Sequence, residues 1–375
     1  MNFAESLKSL KSNLVKSHSL DKELIISLTS YPKRFNILPS AIQSLLNQSI
    51  MPDRIILWLY KDDYKSLPSS IKDFESFGLQ ILLIDKIYKS YTKLLPTLIN
   101  FPDSFIVTCD DDILYKPTLL EELVECYERI GGIISQRAHI IQFNNKGKIL
   151  PYTKWIEKTP PKNFFEINSA LVFPTTGGGT LYPPNCFYNG VLDINKALEL
   201  CPNADDIWFF FMASLNNTKS SLIGGRHFIS LNKNSKNTLW ELNRDGGNDR
   251  QLASLINEFG MPNSLENEIN KACKNLTYPN TIKLRNGKCI KTKSSDVDHI
   301  GKIISETQLY YEDDLIEYIK RFFLPIRVVD VGANIGNHAL GYAGHPDYKV
   351  ICFEPEAELA KIAEDLKINN ISKMR

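Results

Sequence analysis

The chain has 375 residues, of which 43% are hydrophobic and 23% are charged, and its formal net charge is +1. This length exceeds what one hydrophobic core usually serves, so two domains are expected. The balanced charge gives no long-range field that would hold nucleic acid or an anionic membrane surface. We therefore expect neither as a partner.

The cysteines and the apolar runs bear on the compartment. Seven cysteines are scattered along the chain without any C-x-x-C pair, which is typical of small core residues in a reducing compartment. The N-terminus lacks the apolar stretch of a signal peptide, and no run of about 18 apolar residues could span a bilayer. The sequence predicts a cytoplasmic protein with no membrane span.

Strands and helices alternate through the first half of the chain. Apolar runs predict strands at 23–30, 54–60, 79–85 and 104–109, with helices at 36–48, 92–101 and 117–130. Such alternation over short loops predicts an α/β fold with a mostly parallel sheet, in which ligands bind at the carboxyl ends of the strands. Further predictions are strands within 132–143, a Gly/Pro-rich connector at 173–187, and helices at 203–217 and 249–259.

Three consecutive carboxylates follow the strand that ends near residue 109. In VTCDDDILYKP (107–117) these are Asp110, Asp111 and Asp112, and their mutual repulsion calls for a compensating cation. The D-x-D pair Asp110 and Asp112 suits Mg²⁺ or Mn²⁺, which bind a few carboxylates and leave other positions to water and phosphate. An acidic loop or a helix-capping cluster is the alternative, and the preceding strand favours the metal.

A family resemblance covers the first 235 residues. It rests on SLTSYPKR (27–34), SYTKLLP (90–96), the aspartate triplet and GGGTLYPP (177–184), followed by ADDIWFFFM (204–212). In this order and spacing they resemble a GT-A-fold, family 2-like nucleotide-sugar glycosyltransferase. The resemblance implies a Rossmann-like GT-A domain over 1–235. It also implies transfer of a sugar, with inversion, to a surface polysaccharide or another glycan. The donor that it favours is a UDP-sugar.

The resemblance also implies roles for individual residues. The end of the first strand would contact the nucleobase, Lys93 would approach the nucleotide, and Asp111 would orient the turn beside it. Glycines would let the backbone approach the sugar or phosphate. Surface charge is the alternative role for Arg34 and Lys93. The implied nucleotide-sugar-binding residues are Thr29, Ser30, Tyr31, Arg34, Lys93, Asp110, Asp111, Gly178 and Gly179.

The implied metal ligands are Asp110, Asp112 and His227, with Mn²⁺ or Mg²⁺ as the ion. Asp112 would bind the ion directly, whereas Asp110 would contact the ribose or a metal-bound water. A lone histidine such as His227 is more often structural, so that ligand stays open.

The pair Asp205–Asp206 resembles the acidic pair that supplies the general base in inverting members of the family. A sugar hydroxyl is a weak nucleophile, and a carboxylate within hydrogen-bond reach can take its proton as the new bond forms. We favour Asp206, with Asp205 second, because adjacent residues at a helix start point in different directions. The alternative is a helix N-cap, for which Asn203 or Asp205 would serve.

The C-terminal segment carries a second resemblance. VVDVGANIGNH (328–338) and FEPE (353–356) resemble the S-adenosylmethionine site of FkbM-type methyltransferases over about 278–375, after a linker and helix at 236–277. The resemblance implies an incomplete Rossmann-like domain, because the chain ends after two βα units. We expect no methyl transfer from this segment alone; it would be a remnant or would need a partner chain. The implied, vestigial binding residues are Asp330, Gly332, Asn334, Gly336 and Glu354.

Three functions therefore stand side by side. The first is a metal-dependent glycosyltransferase with a nucleotide-sugar donor and a glycan or lipid-linked saccharide acceptor. The second is an FkbM-type methyltransferase that acts on a sugar, with S-adenosylmethionine as an open second cofactor. The third is a non-catalytic nucleotide-sugar-binding component of a polysaccharide synthesis complex.

Overall fold

The structure is a computed structural model that forms two compact units. The first unit comprises Met1–Ile141, Pro151–Pro160 and Phe164–Glu268, and the second comprises Gln142–Leu150, Pro161–Asn163 and Ile269–Arg375. The residues described are 16–144, 147–156, 167–223, 228–231, 243–274, 281–283, 289–291, 307, 309, 315–316, 327–331, 338, 341–342 and 349–355. Within these ranges no helix is long and apolar enough to cross a membrane.

The strands of the first unit fall largely where the apolar runs predict them. In chain order they are β1 (Lys16–Ser17), β2 (Leu24–Thr29), β3 (Ile50–Met51), β4 (Arg54–Tyr60), β5 (Leu79–Ile84), β6 (Phe105–Cys109), β7 (Ile113–Tyr115), β8 (Ile133–Ser135), β9 (Ala138–Ile140), β10 (Val172–Pro174), β11 (Gly178–Tyr182), β12 (Ser220–Leu222) and β13 (Phe228–Ser230).

The helices follow the same alternation. They are α1 (Leu38–Leu46), α2 (Lys61–Tyr64), α3 (Ser69–Lys72), α4 (Leu95–Asn100), α5 (Leu119–Ile130), α6 (Ile194–Leu200), α7 (Asp205–Leu215), α8 (Asn248–Phe259) and α9 (Asn263–Lys274). Short 3₁₀ turns lie at Pro32–Arg34, Asp73–Phe77, Lys89–Lys93, Tyr152–Lys154 and Asn189–Leu192, and a π turn at Asn243–Gly247.

A seven-stranded sheet forms the centre of this unit. Its order is β12-β8-β11-β6-β2-β4-β5, and β11 alone among these seven strands runs antiparallel to its neighbours. The fold is therefore mixed α/β around a mostly parallel central sheet, as predicted. Outside this sheet, β1 pairs with β3, β9 with β10, and β7 with β13.

Alternate residues of the central strands pack on opposite faces of the sheet. Leu24, Ile26 and Leu28 of β2 lie in the core that α1 and α5 cover, whereas Ile25 packs with Trp58 on the other face. Strands of a parallel sheet covered on both faces are apolar throughout, which explains why the sequence shows continuous runs here. Because β2 and β6 pair in parallel, their carboxyl ends lie at the same edge of the sheet.

The structure corrects the predicted connector at 173–187. This segment contains β10 and the central strand β11, which lies between β6 and β8. Glycines and prolines there are typical of a turn, but the reason for Gly178 and Gly179 is close packing. A Cβ on Gly178 would lie 2.5 Å from Cβ of Arg137, and one on Gly179, whose φ is +92°, would lie 2.8 Å from a methyl group of Leu119.

The second unit contains two short ladders among its described residues. Strand β14 (Thr281–Lys283) pairs antiparallel with β15 (Cys289–Lys291), and β16 (Arg327–Val331) pairs parallel with β17 (Lys349–Phe353). Asp330 lies in β16 and Glu354 follows β17. The other three residues of the predicted S-adenosylmethionine site, Gly332, Asn334 and Gly336, lie outside the described residues. The methyltransferase interpretation stays a prediction.

Candidate functional site

Several polar residues of the first unit lie together at one edge of the central sheet. Parallel strands β2, β6 and β8 end there, and the antiparallel strand β11 begins there, with Gly178 opposite Cys109 and Thr180 opposite Ser135. The residues that immediately follow or precede these strand ends must therefore lie side by side. They include Ser30, the aspartate triplet, Arg137 and Thr176.

Asp111 ties the ends of β2 and β6 together. Ser30 Oγ donates a hydrogen bond to Asp111 Oδ2 at 2.5 Å, and Arg34 Nη1 donates to Asp111 Oδ1 at 2.5 Å. Burial raises the pKa of Asp111, against the lowering effect of Arg34 and Ser30. Arg34 Nη1 also lies 3.1 Å from Asp112 Oδ2, so one guanidinium serves two of the three carboxylates.

Asp110 is in direct contact with a second cation, Lys93. Lys93 Nζ lies 2.5 Å from Asp110 Oδ1, and its side chain is buried. Burial alone would raise the pKa of Asp110, but Lys93 together with Arg137 and Arg34 outweighs it, so the pKa lies below its ordinary value. Asp110 is therefore a carboxylate held ionised at the cleft.

The backbone before β11 is shaped around Asp110. Tyr115 Oη accepts from the backbone N–H of Asp110 at 2.7 Å and donates to Gly177 O at 2.6 Å. A Cβ on Gly177 would lie 1.6 Å from Asp110 Oδ2. The carboxylate thus occupies the space that any side chain at position 177 would fill.

The compensating cations of the triplet are thus side chains of the protein, Arg34 and Lys93. These two positive charges do not fully compensate the three carboxylates. Burial and the repulsion of Asp110 raise the pKa of Asp112. Asp110 and Asp112 supply hard oxygen donors, and their side chains keep 26% and 17% exposure. This donor chemistry fits Mn²⁺ or Mg²⁺.

Two carboxylates do not complete a metal site. Within the described ranges no group of three His, Cys, Asp or Glu side chains could hold a metal ion. Oxygens of a diphosphate and water would have to supply the remaining positions, which is how Mg²⁺ commonly binds. The predicted third ligand, His227, lies outside the described residues.

The acid pair opens helix α7. Its N-cap is Ala204, which makes no side-chain capping hydrogen bond, so the alternative role of Asn203 or Asp205 as the cap is wrong. Asp205 is buried, and Thr176 Oγ1 donates to its Oδ2 at 3.1 Å. Asp206 is less buried, and its Oδ1 accepts from the backbone N–H of Thr176 at 2.7 Å.

The two acids of the pair are not equivalent. Burial and the neighbouring charge of Asp205 raise the pKa of Asp206 to about 6, against the opposing effects of Lys93 and Thr176. A carboxylate with that pKa is ionised at neutral pH and is a stronger base than an ordinary aspartate. Asp206 is thus the better placed of the two to accept a proton.

A single ammonium lies between the two acidic clusters. Lys93 Nζ contacts Asp110, lies 3.3 Å from Thr176 Oγ1 and lies 4.0 Å from Asp205 Oδ2. The triplet after β6 and the pair at α7 therefore form one continuous polar site. Lys93 approaches it from the 3₁₀ turn Lys89–Lys93.

The remaining predicted residues of this domain lie around that site. Thr29 Oγ1 donates to the backbone carbonyl of Trp58 at 2.9 Å. Tyr31 is 46% exposed, and the guanidinium of Arg34 lies 5.6 Å from its ring centroid. Gly178 and Gly179 lie inside buried β11, where their close neighbours are protein side chains.

Sequence reasoning missed several residues that build the site: Tyr115, Arg137, Thr176 and Gly177. Arg137 Nε donates to Thr175 Oγ1, and its charge lowers the pKa of Asp110. Tyr115 falls inside the VTCDDDILYKP stretch, and Gly177 is the first glycine of the GGG run. Tyr115 and Gly177 thus lie within motifs that the sequence shows. Thr176 and Arg137 reach the site only through the pairing of strands, which no local motif indicates.

Comparisons with known proteins give matches only at the level of structure. No family model matches the sequence, and no curated protein matches it. Staphylococcus aureus TarS 1–349, solved in complex with UDP, is similar at a TM-score of 0.40 and 10% identity over 74% of this chain and 98% of that one. The mannosyltransferase PcManGT from Pyrobaculum calidifontis, in complex with GDP-Man and Mn²⁺, is similar at 0.45 and 9% identity over 72% and 76%. Similarity at this level carries no argument about function, which must come from the site itself.

Proposed function

We propose that the chain is a divalent-metal-dependent glycosyltransferase that transfers a sugar from a nucleoside diphosphate donor to a hydroxyl of a glycan or lipid-linked saccharide. One observation carries the proposal. The aspartate triplet at the end of β6 and the acid pair at the start of α7 lie in one polar site, joined by Lys93 and Thr176. Sugar transfer needs both a site for the diphosphate of the donor and a base for the hydroxyl of the acceptor.

The triplet side suits the donor. Asp110 and Asp112 would hold the cation, which when bound would neutralise charge on the departing diphosphate. Arg34 forms ion pairs with both Asp111 and Asp112. Tyr31 lies half exposed beside Arg34 and offers a ring face to a nucleobase. A UDP-sugar is the first donor to test because the motif resemblance includes SLTSYPKR at 27–34.

The pair side suits the acceptor. The acceptor hydroxyl attacks the anomeric carbon, the bond from that carbon to the diphosphate oxygen breaks, and Asp206 takes the hydroxyl proton. The backbone N–H of Thr176 donates to Asp206 Oδ1. Oδ2 would then face the acceptor. Single displacement of this kind inverts the anomeric centre.

The first test measures donor turnover. We expect the protein to cleave or transfer from one member of a panel of UDP- and GDP-sugars in Mn²⁺. Asp112→Asn should lower that turnover at least 100-fold, because charge stabilisation of the leaving group is lost. Asp103→Asn is the matched control, since Asp103 is exposed and forms only a surface ion pair with Lys22. Near-normal turnover by Asp112→Asn would refute the metal role.

A methyltransferase function for the second unit is the other candidate. Its support is that β16 and β17 pair in parallel, with Asp330 in one strand and Glu354 just after the other. Titration calorimetry with S-adenosylmethionine tests it. Binding would favour that function, and the absence of heat would leave the first unit as the active part of the chain.

A further inference from the structure

Thr176 contacts both acids of the pair and Lys93 through two of its atoms, the backbone nitrogen and the hydroxyl oxygen. Its backbone N–H donates to Asp206 Oδ1 at 2.7 Å, and its hydroxyl donates to Asp205 Oδ2 at 3.1 Å. The same hydroxyl oxygen accepts from Lys93 Nζ at 3.3 Å. One residue therefore links both acids to the ammonium that also holds Asp110.

The position of Thr176 is itself fixed. Its carbonyl oxygen accepts from Thr108 Oγ1 of β6 at 2.7 Å, and its side chain is buried. Lys93 is likewise buried, between Thr176 and Asp110. Buried hydrogen bonds of this kind act in a low dielectric, where they hold a geometry more strongly than they would in water.

We propose that Thr176 and Lys93 are positioning residues that keep Asp206 ionised and oriented to take the acceptor proton, with Asp205 as the anchored partner of the pair. This inference rests on the proposed function, because it assigns how the base of that reaction is prepared. Neither residue touches the reacting atoms.

The charges around Asp206 explain why such support is needed. Burial and the charge of Asp205 favour the protonated form of Asp206, and Lys93 and Thr176 favour the ionised form. Tyr91 and Tyr182 also face the pair, and burial raises the pKa of both phenols. They are neutral at neutral pH, so Lys93 is the cation that offsets Asp205.

Removing the Thr176 hydroxyl should therefore raise the pKa of Asp206 above about 6. A base with a higher pKa is ionised only at higher pH, so the acidic limb of the kcat/KM profile, which reports the protein without substrate, should move to higher pH. We expect Thr176→Val to shift that limb by about 0.5 to 1 pH unit. The value of kcat/KM at pH 6 should fall about twofold to fivefold and approach the wild-type value at pH 8.5.

Thr176→Ser is the matched control, since it keeps the hydroxyl and should keep the wild-type profile. Lys93→Gln should shift the limb further, because a full charge is lost, and should also raise KM for the donor. Infrared titration of the Asp206 carboxyl, with the band identified by Asp206→Asn, reads the same pKa without substrate. It can be made on Thr176→Ser and Lys93→Gln should Thr176→Val fold poorly.

The outcomes separate this inference from the function on which it rests. Full transfer activity in Asp206→Asn would overturn the role of that residue as the base. Loss of activity in Asp206→Asn, with wild-type pH profiles in both Thr176→Val and Lys93→Gln, would overturn the positioning role alone. An unchanged Asp206 carboxyl titration in Lys93→Gln would overturn it as well.

Discussion

The two acidic clusters at the edge of the sheet are balanced in different ways. Three carboxylates after β6 have two cations in direct contact, and Asp110 consequently has a lowered pKa. Among the described residues, the cation nearest to the pair at α7 is Lys93, 4.0 Å from Asp205, and burial with the charge of Asp205 leaves Asp206 with a pKa of about 6. Direct contact with a cation thus holds Asp110 ionised, whereas Asp206 titrates nearer to neutral pH.

This difference follows from where each cluster lies in the fold. The triplet follows a buried strand, so burial would protonate it unless cations from other elements approached. Arg34 comes from the turn after β2, and Lys93 from the turn before α4. The pair at the start of α7 has the partial positive charge of a helix N-terminus, which is weaker than a full cation. Weak compensation leaves Asp206 able to titrate near neutral pH.

Removing a cation from the strongly compensated cluster should have the largest effect on stability. Arg34→Gln leaves Asp111 buried without its ion pair, and breaking such a pair costs about 3 to 5 kcal/mol when both partners are buried. The Arg34 side chain is 27% exposed, so we expect a loss of about 2 to 3 kcal/mol in the free energy of unfolding. Urea denaturation measures it.

A surface pair provides the control. Arg54→Gln breaks an ion pair with Glu23 whose side chains are 34% and 42% exposed, and it should cost less than about 1 kcal/mol. The double change Arg34→Gln with Asp111→Asn should recover part of the loss, because the buried charge is removed. Equal losses for Arg34→Gln and Arg54→Gln would show that Asp111 does not depend on its cation.

The sequence predicted the fold of the first unit better than the connections of its site. Apolar runs located β2, β4 and β6 because strands buried on both faces leave a continuous signal, and the apolar run of the edge strand β5 was located as well. β11 was missed, since Gly178 and Gly179 are typical of turns and their close neighbours, Arg137 and Leu119, are distant in the sequence.

The candidate site likewise contains residues that a local sequence pattern indicates and contacts that only the fold creates. Asp110, Asp112 and Asp206 could be singled out because carboxylates at a strand end and at a helix start form recognisable local patterns. The ion pair of Arg34 with Asp111 spans 77 residues, and that of Lys93 with Asp110 spans 17. No local pattern records such contacts, and the three-residue D-D-D pattern predicted a metal without revealing that two protein cations already lie beside it.

The weakly compensated cluster should reveal itself through the pH dependence of stability. The folded-state pKa of Asp206 is raised from 3.8 to about 6, so ionised Asp206 destabilises the fold increasingly as pH rises from about 4 to 6. Asp206→Asn removes that effect and keeps an acceptor for the N–H of Thr176. We expect it to be more stable than the wild type by about 1 to 2 kcal/mol at pH 7.5, below a ceiling of about 3 kcal/mol.

At pH 4 the same variant should show no gain, because Asp206 is then protonated in the wild type too. Asp85→Asn is the control at both pH values, since Asp85 is exposed in a surface pair with Lys61. Urea denaturation at the two pH values makes the comparison. A gain of equal size at pH 4 and pH 7.5 would show that the effect does not come from the charge of Asp206.

The smallest expected effect concerns the fit between Gly177 and Asp110. Gly177 lacks the left-handed backbone that would strain another residue, so Gly177→Ala acts through its methyl group. That group would lie 1.6 Å from Asp110 Oδ2 and must displace a carboxylate that Lys93 holds. We expect the affinity for UDP in Mn²⁺ to fall about tenfold, which corresponds to about 1.4 kcal/mol.

Isothermal titration of UDP with Mn²⁺ measures this change, and Gly190→Ala provides the comparison. A methyl group at Gly190 would meet only the ring of Tyr188, at 3.2 Å, and none of the acids, so its affinity should match the wild type. If Gly177→Ala bound UDP as tightly as Gly190→Ala, the carboxylate of Asp110 would be free to move without loss. The strongly compensated cluster would then owe its charge to Lys93 but not its function to a fixed geometry.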